Sequence, residues 1–499
     1  MHLISPQAHT RRAFLRRTGQ LALAGTAMPF AVNLAAMGEA AAATATDYKA
    51  LVCVFLYGGN DYANTVVTYD DASYNAYAAI RGADTSIARS ALAPTVLRPQ
   101  NALENGRQYA LHPAMKQLAD LYNNEGKVAV QLNVGPLVRP LTRAQYAGND
   151  RTNYPIPPKL FSHNDQQSIW QSSSPEGSTV GWGGNIGDLV LGSNSNSLFT
   201  CISVSGNAVF MSGDSALQYQ VGTSGAISIN CIKNSVYGSA TVKAAMAQMV
   251  QQSRSHAMEN EYVRVTSRAV AAEGQINGAK GAEYPNGVPG TPSTFPYGAT
   301  SSLVYPGVSY TGSNQAASQL AMVAQLIRGR NQLGSKRQVF FVSLGGFDLH
   351  DKLMVNHPGL LARLSDAMAA FHREMVVLGV ADNVTAFTAS DFGRTLASNG
   401  DGSDHGWGNH HFVVGGAVNG KARLYGKAPV VSINNDAGKE GYEGHVGQGR
   451  LIPGTSVDQY AATLAKWFGV PAAELGGILP NLRNFGSADY PVDLGFMAA

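Results

Sequence analysis

Acidic residues stand in three short motifs, "GGND" (58–61), "DLHD" (348–351) and "SDFGRTLASNGDGSDHGWGNHH" (390–411), and the last two also contain histidines. Asp-x-His and Asp-His pairs place a carboxylate oxygen close to an imidazole nitrogen, and zinc, manganese and iron take such ligands. The three cysteines form no CxxC pair, so a thiolate site is not expected. We therefore predict a nitrogen and oxygen site for one or two divalent metal ions, with zinc the first choice; the candidate ligands are Asp61, Asp348, His350, Asp391, Asp404, His405 and His410.

A candidate nucleophile and a candidate anion-binding residue accompany these motifs. In "FSHNDQQ" (161–167), Ser162 stands where a helix is predicted to begin. The positive end of a helix dipole favours a deprotonated hydroxyl and a bound phosphate or sulfate. Arg394 could bind the same anion through two parallel hydrogen bonds. The predicted catalytic residues are Ser162, His163 and Arg394, and two structural alternatives stay open: a helix cap at Ser162 and an acidic surface loop over 390–412.

The elements that would position these residues alternate between strands and helices. Apolar runs rich in β-branched residues predict buried strands over 48–59, 126–135, 338–346 and 383–393. Apolar residues at helical spacing predict helices over 112–126, 241–273, 314–330 and 357–380. This order predicts one α/β domain over 46–499, with a doubly wound, mainly parallel sheet flanked by helices. A segment rich in Gly, Pro and Ser, 274–313, predicts a long irregular insertion.

The ends of the predicted strands carry most of the candidate residues. Asp61 follows the first strand, Ser162 follows the second strand after a loop, Asp348 follows the third and Asp391 lies at the end of the fourth. Open α/β sheets bind ligands at the carboxyl ends of their parallel strands. We therefore expect the metal ligands and the hydroxyl to meet at one edge of the sheet.

The first 45 residues have the order of an export signal. The segment "RRAFLRR" (11–17) is followed by an apolar run and then by small residues, which resembles the twin-arginine type. We expect the twin-arginine export machinery as a partner and a periplasmic or secreted location. The apolar run is short for a membrane anchor, so no stable membrane insertion is expected.

Charge and cysteine content bear on possible partners. Beyond residue 45 the chain carries 32 basic and 32 acidic residues, which argues against binding to nucleic acid or an anionic membrane. Cys201 and Cys231 could pair in an oxidising compartment, and the sequence leaves that open.

Several longer motifs resemble those of exported bacterial proteins grouped as "domain of unknown function 1501". They are "LVCVFLYGGNDYANTVV" (51–67), "FSHNDQQSIW" (161–170), "GGFDLHD" (345–351), "SDFGRT" (390–395), "DHGWGNHHFVVGG" (404–416) and "SVDQYAATLAKWFGV" (456–470). The order of Asp, hydroxyl, Asp-x-His, Asp and His also resembles the alkaline phosphatase and sulfatase superfamily. That resemblance implies an alkaline phosphatase-like fold.

The superfamily resemblance also implies roles for individual residues. Asp61 and Asp391 would bind one metal, Ser162 would be the nucleophile, and the second metal would have the ligands Asp348, His350 and His405. Phe392 departs from the pattern, because superfamily members have His at that place; the pair Asp404 and His405 is the candidate replacement. No cysteine is followed by x-Pro-x-Arg, which argues against a formylglycine sulfatase.

Two functions remain. The first is an exported, metal-dependent hydrolase of phosphate or sulfate esters that acts on a small-molecule or polymer substrate through a serine nucleophile. The second is a non-catalytic cell-envelope binding protein that keeps the fold and a vestigial or structural metal site.

Overall fold

The computed structural model of the chain describes residues 45–282 and 314–498, except positions 236 and 423. The predicted export signal and most of the predicted insertion lie outside the described residues. The strands are β1 Lys49–Leu56, β2 Val66–Thr68, β3 Tyr109–Leu111, β4 Val128–Gly135, β5 Cys201–Ser203, β6 Gln218–Gly222, β7 Gly225–Ala226, β8 Arg337–Leu344, β9 Val384–Ser390, β10 Arg394–Ser398, β11 Ser403–His405, β12 Asn409–Gly415 and β13 Thr455–Ser456.

Nine strands of the described residues form one mixed sheet, in the order β13-β4-β12-β9-β1-β8-β5-β6-β7. Strand β1 lies at its centre and pairs in parallel with β8 and β9. Strand β12 is antiparallel to both β4 and β9, and β7 is antiparallel to β6. The other strands run in one direction, so their carboxyl ends meet at one edge.

Helices cover both faces of this sheet. They are α1 Tyr62–Thr65, α2 Asp71–Thr85, α3 Arg89–Leu92, α4 Lys116–Asp120, α5 Arg143–Ala147, α6 His163–Ser172, α7 Trp182–Val190, α8 Asn230–Lys233, α9 Ala240–Gln251, α10 Ala257–Lys280, α11 Gln315–Arg328, α12 Leu353–Val377, α13 Val457–Phe468 and α14 Ala472–Ile478. Among the helices of the described residues, none combines the length and the hydropathy needed to span a bilayer.

Alternate residues of β1 enter two separate cores, as its unbroken apolar sequence predicts. Val52 and Val54 pack with α11 and α12 on one face. Cys53 and Phe55 pack with α7 and α13 on the other face. The predicted α/β class with a mostly parallel sheet flanked by helices is therefore confirmed. The cysteines of the described chain are unpaired, so Cys201 and Cys231 form no disulfide here.

Two of the predicted helices differ from the structure. The segment 241–273 was predicted as one helix, but it is divided between α9 and α10, which continues to Lys280. The apolar residues on the two sides of the break at 252–256 keep a helical spacing, so periodicity alone does not show the break. The predicted helix 112–126 is a short 3-10 turn, the five-residue α4 and a π-turn.

Two glycines after β1 allow the strand ends to approach each other closely. Gly58 has φ +114°, and a Cβ atom there would lie 2.4 Å from the backbone nitrogen of Asp348. Gly59 has φ +80°, and its Cβ would lie 2.4 Å from the ring of Phe392. Positive φ and the absence of a side chain are both required at these positions. The turn after β1 therefore fixes how closely the ends of β8 and β9 approach.

Replacement of Gly58 by Ala should destabilise the protein beyond the roughly 1–3 kcal/mol of a strained backbone conformation, because the new Cβ would also meet backbone atoms. Gly177→Ala is the matched control, since Gly177 has φ +99° and open space around it. Denaturant unfolding should show a clearly larger loss for Gly58→Ala. Equal losses in the two variants would contradict this account of the turn.

Candidate metal centre

Three separate elements bring imidazoles and a carboxylate to the carboxyl edge of the sheet. Asp348 and His350 follow β8, His405 ends β11, and His163 is the first residue of α6. The β10–β11 hairpin forms directly after β9, and it turns the chain back over the same edge. The predicted convergence of strand ends is thus found for these residues.

Three of these side chains form a compact group. One ligand atom from each of His163, Asp348 and His405 lies within 4.8 Å of the others. The Nε2 atoms of His163 and His405 lie 3.4 Å and 3.2 Å from the carboxylate oxygens of Asp348. These three residues are called the core triad below.

His350 lies beside the core triad and is more exposed. Its Nε2 atom is 3.1 Å from Asp348 Oδ1 and 2.9 Å from His405 Nε2. Its side chain is 46% exposed, against 29% for His163 and 24% for His405. His350 therefore lies at the solvent side of the group, where it is a candidate for an additional ligand.

Hydrogen bonds fix which nitrogen of each ring faces the group. His163 Nδ1 lies 2.6 Å from Asp391 Oδ2, and His405 Nδ1 lies 2.7 Å from the carbonyl oxygen of Phe161. These oxygens only accept hydrogen bonds, so Nδ1 carries the proton in both rings. His350 Nδ1 approaches Asp404 Oδ1 at 3.3 Å.

In the neutral rings each Nε2 therefore presents a lone pair toward Asp348. Lone pairs that face a carboxylate repel it unless a cation lies between them. This outer bonding is the pattern that orients histidines in metal sites.

Burial and charge act differently on these groups. The hydrogen bond that His163 donates to Asp391 raises the pKa of His163, although burial opposes this shift. Burial lowers the pKa of His405 and favours its neutral, metal-binding form. Burial of Asp348 opposes its ionisation, but the hydrogen bond and charge of Arg394 outweigh burial and lower its pKa. The group therefore offers a neutral imidazole and an ionised carboxylate.

Asp391, Asp404 and Phe392 support the ligands. Asp391 is fully buried, and its Oδ2 atom also accepts hydrogen bonds from Gly58 N and Gln167 Nε2. Among the described residues, its other oxygen, Oδ1, has no hydrogen-bond partner. Phe392 packs its ring 4.9 Å from His163 and 4.6 Å from His405, centroid to centroid. In this arrangement Asp391 and Asp404 orient histidines, and Phe392 is the apolar wall behind them.

Asp61, a predicted ligand, is engaged by protein groups instead. The guanidinium of Arg81 donates to both of its carboxylate oxygens at 2.9 Å, and Ser403 Oγ donates to Oδ2 at 2.9 Å. Burial of Asp61 opposes ionisation, but Arg81 more than offsets this and lowers its pKa. Arg81 therefore supplies the positive charge that a metal would supply, and the geometry does not bring Asp61 into the group.

The guanidinium of Arg394, the predicted anion-binding residue, is hydrogen-bonded to groups of the protein. It is fully buried, and its Nη1 donates to Asp348 Oδ1 at 2.8 Å and to the carbonyl of Gly58 at 3.0 Å. Its Nε donates to Ser403 O at 3.1 Å, and its Nη2 donates to the same oxygen. The guanidinium thus positions Asp348 and faces protein groups.

His410 was predicted as a ligand in a loop, but it lies in the buried strand β12. Its Nδ1 accepts a hydrogen bond from Asn133 N at 3.0 Å, and its ring packs 5.2 Å from that of Tyr62. Burial lowers its pKa to about 3. Successive strand residues face opposite sides of a sheet, so His411 packs on Trp170 on the other face. The structure places both histidines within the sheet layers.

Ser162 is the residue before α6, but its hydroxyl makes no capping bond to that helix. It donates instead to Oδ2 of the buried Asp165, at 3.0 Å. Phe161 precedes it with φ +74°, a strained conformation for a residue with a side chain. Asp165 was missed from sequence, although its position three residues after Ser162 is a signal for an interaction. Nothing in the sequence signals the strained backbone conformation of Phe161.

A family model described as "Protein of unknown function (DUF1501)" matches residues 48–439. The chain belongs to the DUF1501 family. No curated protein matches it. The family description carries no activity, and the geometry of the centre is therefore what supports a function for this DUF1501 chain.

Zinc titration of the purified DUF1501 chain tests the core triad. His163→Ala, Asp348→Ala and His405→Ala should each weaken zinc binding by at least roughly 100-fold, and His350→Ala should weaken it less. The control is His256→Ala, because His256 is exposed and caps α10 without a side-chain hydrogen bond. Zinc binding that is unchanged in all three triad variants would show that the metal, if bound, lies elsewhere.

The outer carboxylate can be tested separately. Asp391→Asn keeps the size of the side chain but removes the charge that polarises His163, so zinc affinity should fall roughly 10-fold. Calorimetric titration with the folded variant measures this change. A variant that binds zinc as tightly as the unchanged protein would contradict an orienting role for Asp391.

Proposed function

We propose that this chain is a metal-dependent hydrolase of phosphate or sulfate esters. One observation carries the proposal: the Nε2 atoms of His163 and His405 meet at Asp348, while the Nδ1 atoms of both rings are held by oxygen acceptors. Three protein ligands leave a coordination position open, as catalytic zinc sites do. Asp348 is 43% exposed, so an ester can reach the group from solvent.

The resemblance to the alkaline phosphatase and sulfatase superfamily supports the same conclusion. A mostly parallel sheet with candidate ligands after β8 and at the end of β11, and a hydroxyl at the start of α6, fits the order of that superfamily. The Arg81–Asp61 ion pair and Phe392 fit one metal better than two. We therefore propose an alkaline phosphatase-like fold with a single divalent ion, zinc first, then manganese or iron.

Ser162 is the proposed nucleophile. Its oxygen would form a bond to phosphorus or sulfur as the ester oxygen leaves, and its proton would pass to Asp165, 3.0 Å away. The start of α6 presents backbone N–H groups to the anion formed there. Water would then release the acid from Ser162. A divalent metal held by the core triad would act as a Lewis acid toward the ester.

The non-catalytic alternative has one observation in its favour. His350 Nε2 lies 3.1 Å from Asp348 and 2.9 Å from His405 Nε2, and a fourth protein ligand is typical of closed, structural zinc sites. In that case the DUF1501 chain would be an envelope binding protein with a structural ion. The hydroxyl of Ser162, which donates to Asp165 and does not cap the helix, favours the hydrolase.

Export is part of the proposal. The paired arginines and the apolar run at the start of the sequence support transport by the twin-arginine route to the periplasm or beyond. That route carries folded proteins, which suits a chain whose ligands come from elements as far apart in sequence as α6 and β11.

Zinc-loaded protein should hydrolyse aryl phosphates, phosphodiesters or aryl sulfates, and a chelator should abolish the activity until zinc is restored. Ser162→Ala should lower kcat by more than roughly 100-fold, because the attacking oxygen is removed. Asp165→Asn should lower it by roughly 100-fold, because the amide cannot accept the proton.

Ser172→Ala is the matched control, because Ser172 lies at the other end of α6 and donates to the carbonyl of Ser168. Its kcat should match that of the unchanged protein. Turnover that survives both Ser162→Ala and Asp348→Ala would contradict this mechanism. A protein that binds zinc but hydrolyses none of these esters would favour the binding protein.

A further inference from the structure

A site for a phosphate or sulfate ester needs a positively charged side chain that is free to bind the ester oxygens. The side chain of Arg394 is not free to do so. Its guanidinium is fully buried and bonded to Asp348, Gly58 and Ser403. Arg81 is likewise buried and bonded to Asp61. Both guanidiniums are therefore already paired with groups of the protein.

Arg450 lies next to the metal centre and is differently placed. Its Nε donates to the backbone carbonyl of His405 at 2.7 Å, and its guanidinium carbon lies 5.4 Å from the centroid of the Phe161 ring. His405 belongs to the core triad, and Phe161 directly precedes Ser162. One side chain thus contacts both the ligand side and the nucleophile side of the centre.

The terminal nitrogens of Arg450 have no hydrogen-bond partner among the described residues. Nε makes the side-chain hydrogen bond of this residue, and no carboxylate of the described residues lies within ion-pair distance of the guanidinium. Asp404, whose charge acts on Arg450, accepts a hydrogen bond from Asn399 and lies 3.3 Å from His350 Nδ1. The residue is half-buried, and the hydrogen bond from its Nε holds the guanidinium beside His405.

We infer that Arg450 is the residue that binds the tetrahedral anion of the substrate. A guanidinium offers two parallel N–H donors to two oxygens of a phosphate or sulfate, and its Nη1 and Nη2 are free for this role. The packing on Phe161 and the bond to His405 fix its direction before a ligand arrives. This inference rests on the proposed function and names the group that selects anionic esters.

The test is calorimetric titration of the full chain with inorganic phosphate and, separately, sulfate, with and without zinc. Arg450→Ala should weaken anion binding by roughly 10- to 100-fold. Arg450→Lys should recover part of the loss, because an ammonium keeps the charge but not the paired donors. Zinc affinity, measured in its own titration, should stay within about 3-fold of the unchanged protein.

Arg330→Ala is the matched control. Arg330 also packs over an aromatic ring, 5.3 Å from the centroid of Tyr48, and donates to a backbone carbonyl, that of Ile327. Tyr48 precedes β1, so this arginine lies at the opposite edge of the sheet, and Arg330→Ala should leave anion binding unchanged.

Several results would overturn the inference: anion binding unchanged in Arg450→Ala, an equal loss in Arg330→Ala, or a matching loss of zinc affinity, which would mean that Arg450 only positions His405. A chain that binds zinc but no anion would overturn it and leave the metal centre standing. If the chain binds no zinc, the proposed function fails, and the zinc-free titration decides: a loss of anion binding in Arg450→Ala supports the inference, and no anion binding overturns it.

Discussion

The buried guanidinium of Arg394 is the constraint on which the rest of the site depends. A buried charge is costly unless it is paired and hydrogen-bonded, so the surrounding chain must supply partners. Here the partners are the carbonyl of Gly58 after β1, Asp348 after β8 and Ser403 in β11. Ser403 in turn donates to Asp61, which pairs with Arg81. This network holds three strand ends together. It thereby fixes the positions of the side chains that form the candidate metal centre.

Much of the fold and part of the site could be predicted from the sequence. Eight-residue apolar runs such as β1 and β8 are distinctive because both faces are buried, and the residues after them must lie at the sheet edge. That reasoning found Asp348, His350 and His405. It failed where partners are distant in sequence: Arg81 is carried by α2, and nothing near Asp61 shows that a guanidinium will replace a metal there. His410 was misplaced because a buried antiparallel strand and a Gly-rich loop have similar composition in this segment.

The arrangement of these side chains also bears on the choice between the two functions considered for this DUF1501 chain. A structural ion needs a closed set of ligands, and His350 is in position to complete one. A catalytic ion needs an open position, a nucleophile and a way to hold the substrate. Under the proposed function these parts would be the core triad, the uncapped hydroxyl of Ser162 and the guanidinium of Arg450.

The central claim is that one divalent metal is bound at Asp348 by the Nε2 atoms of His163 and His405. Anomalous diffraction from crystals of the zinc-loaded chain, recorded on both sides of the zinc edge, locates the ion directly. The account predicts one strong peak between these three side chains, with Nδ1 of His163 still on Asp391 and Nδ1 of His405 still on the carbonyl of Phe161. A peak at Asp61, or an empty core triad in zinc-loaded crystals, would contradict it.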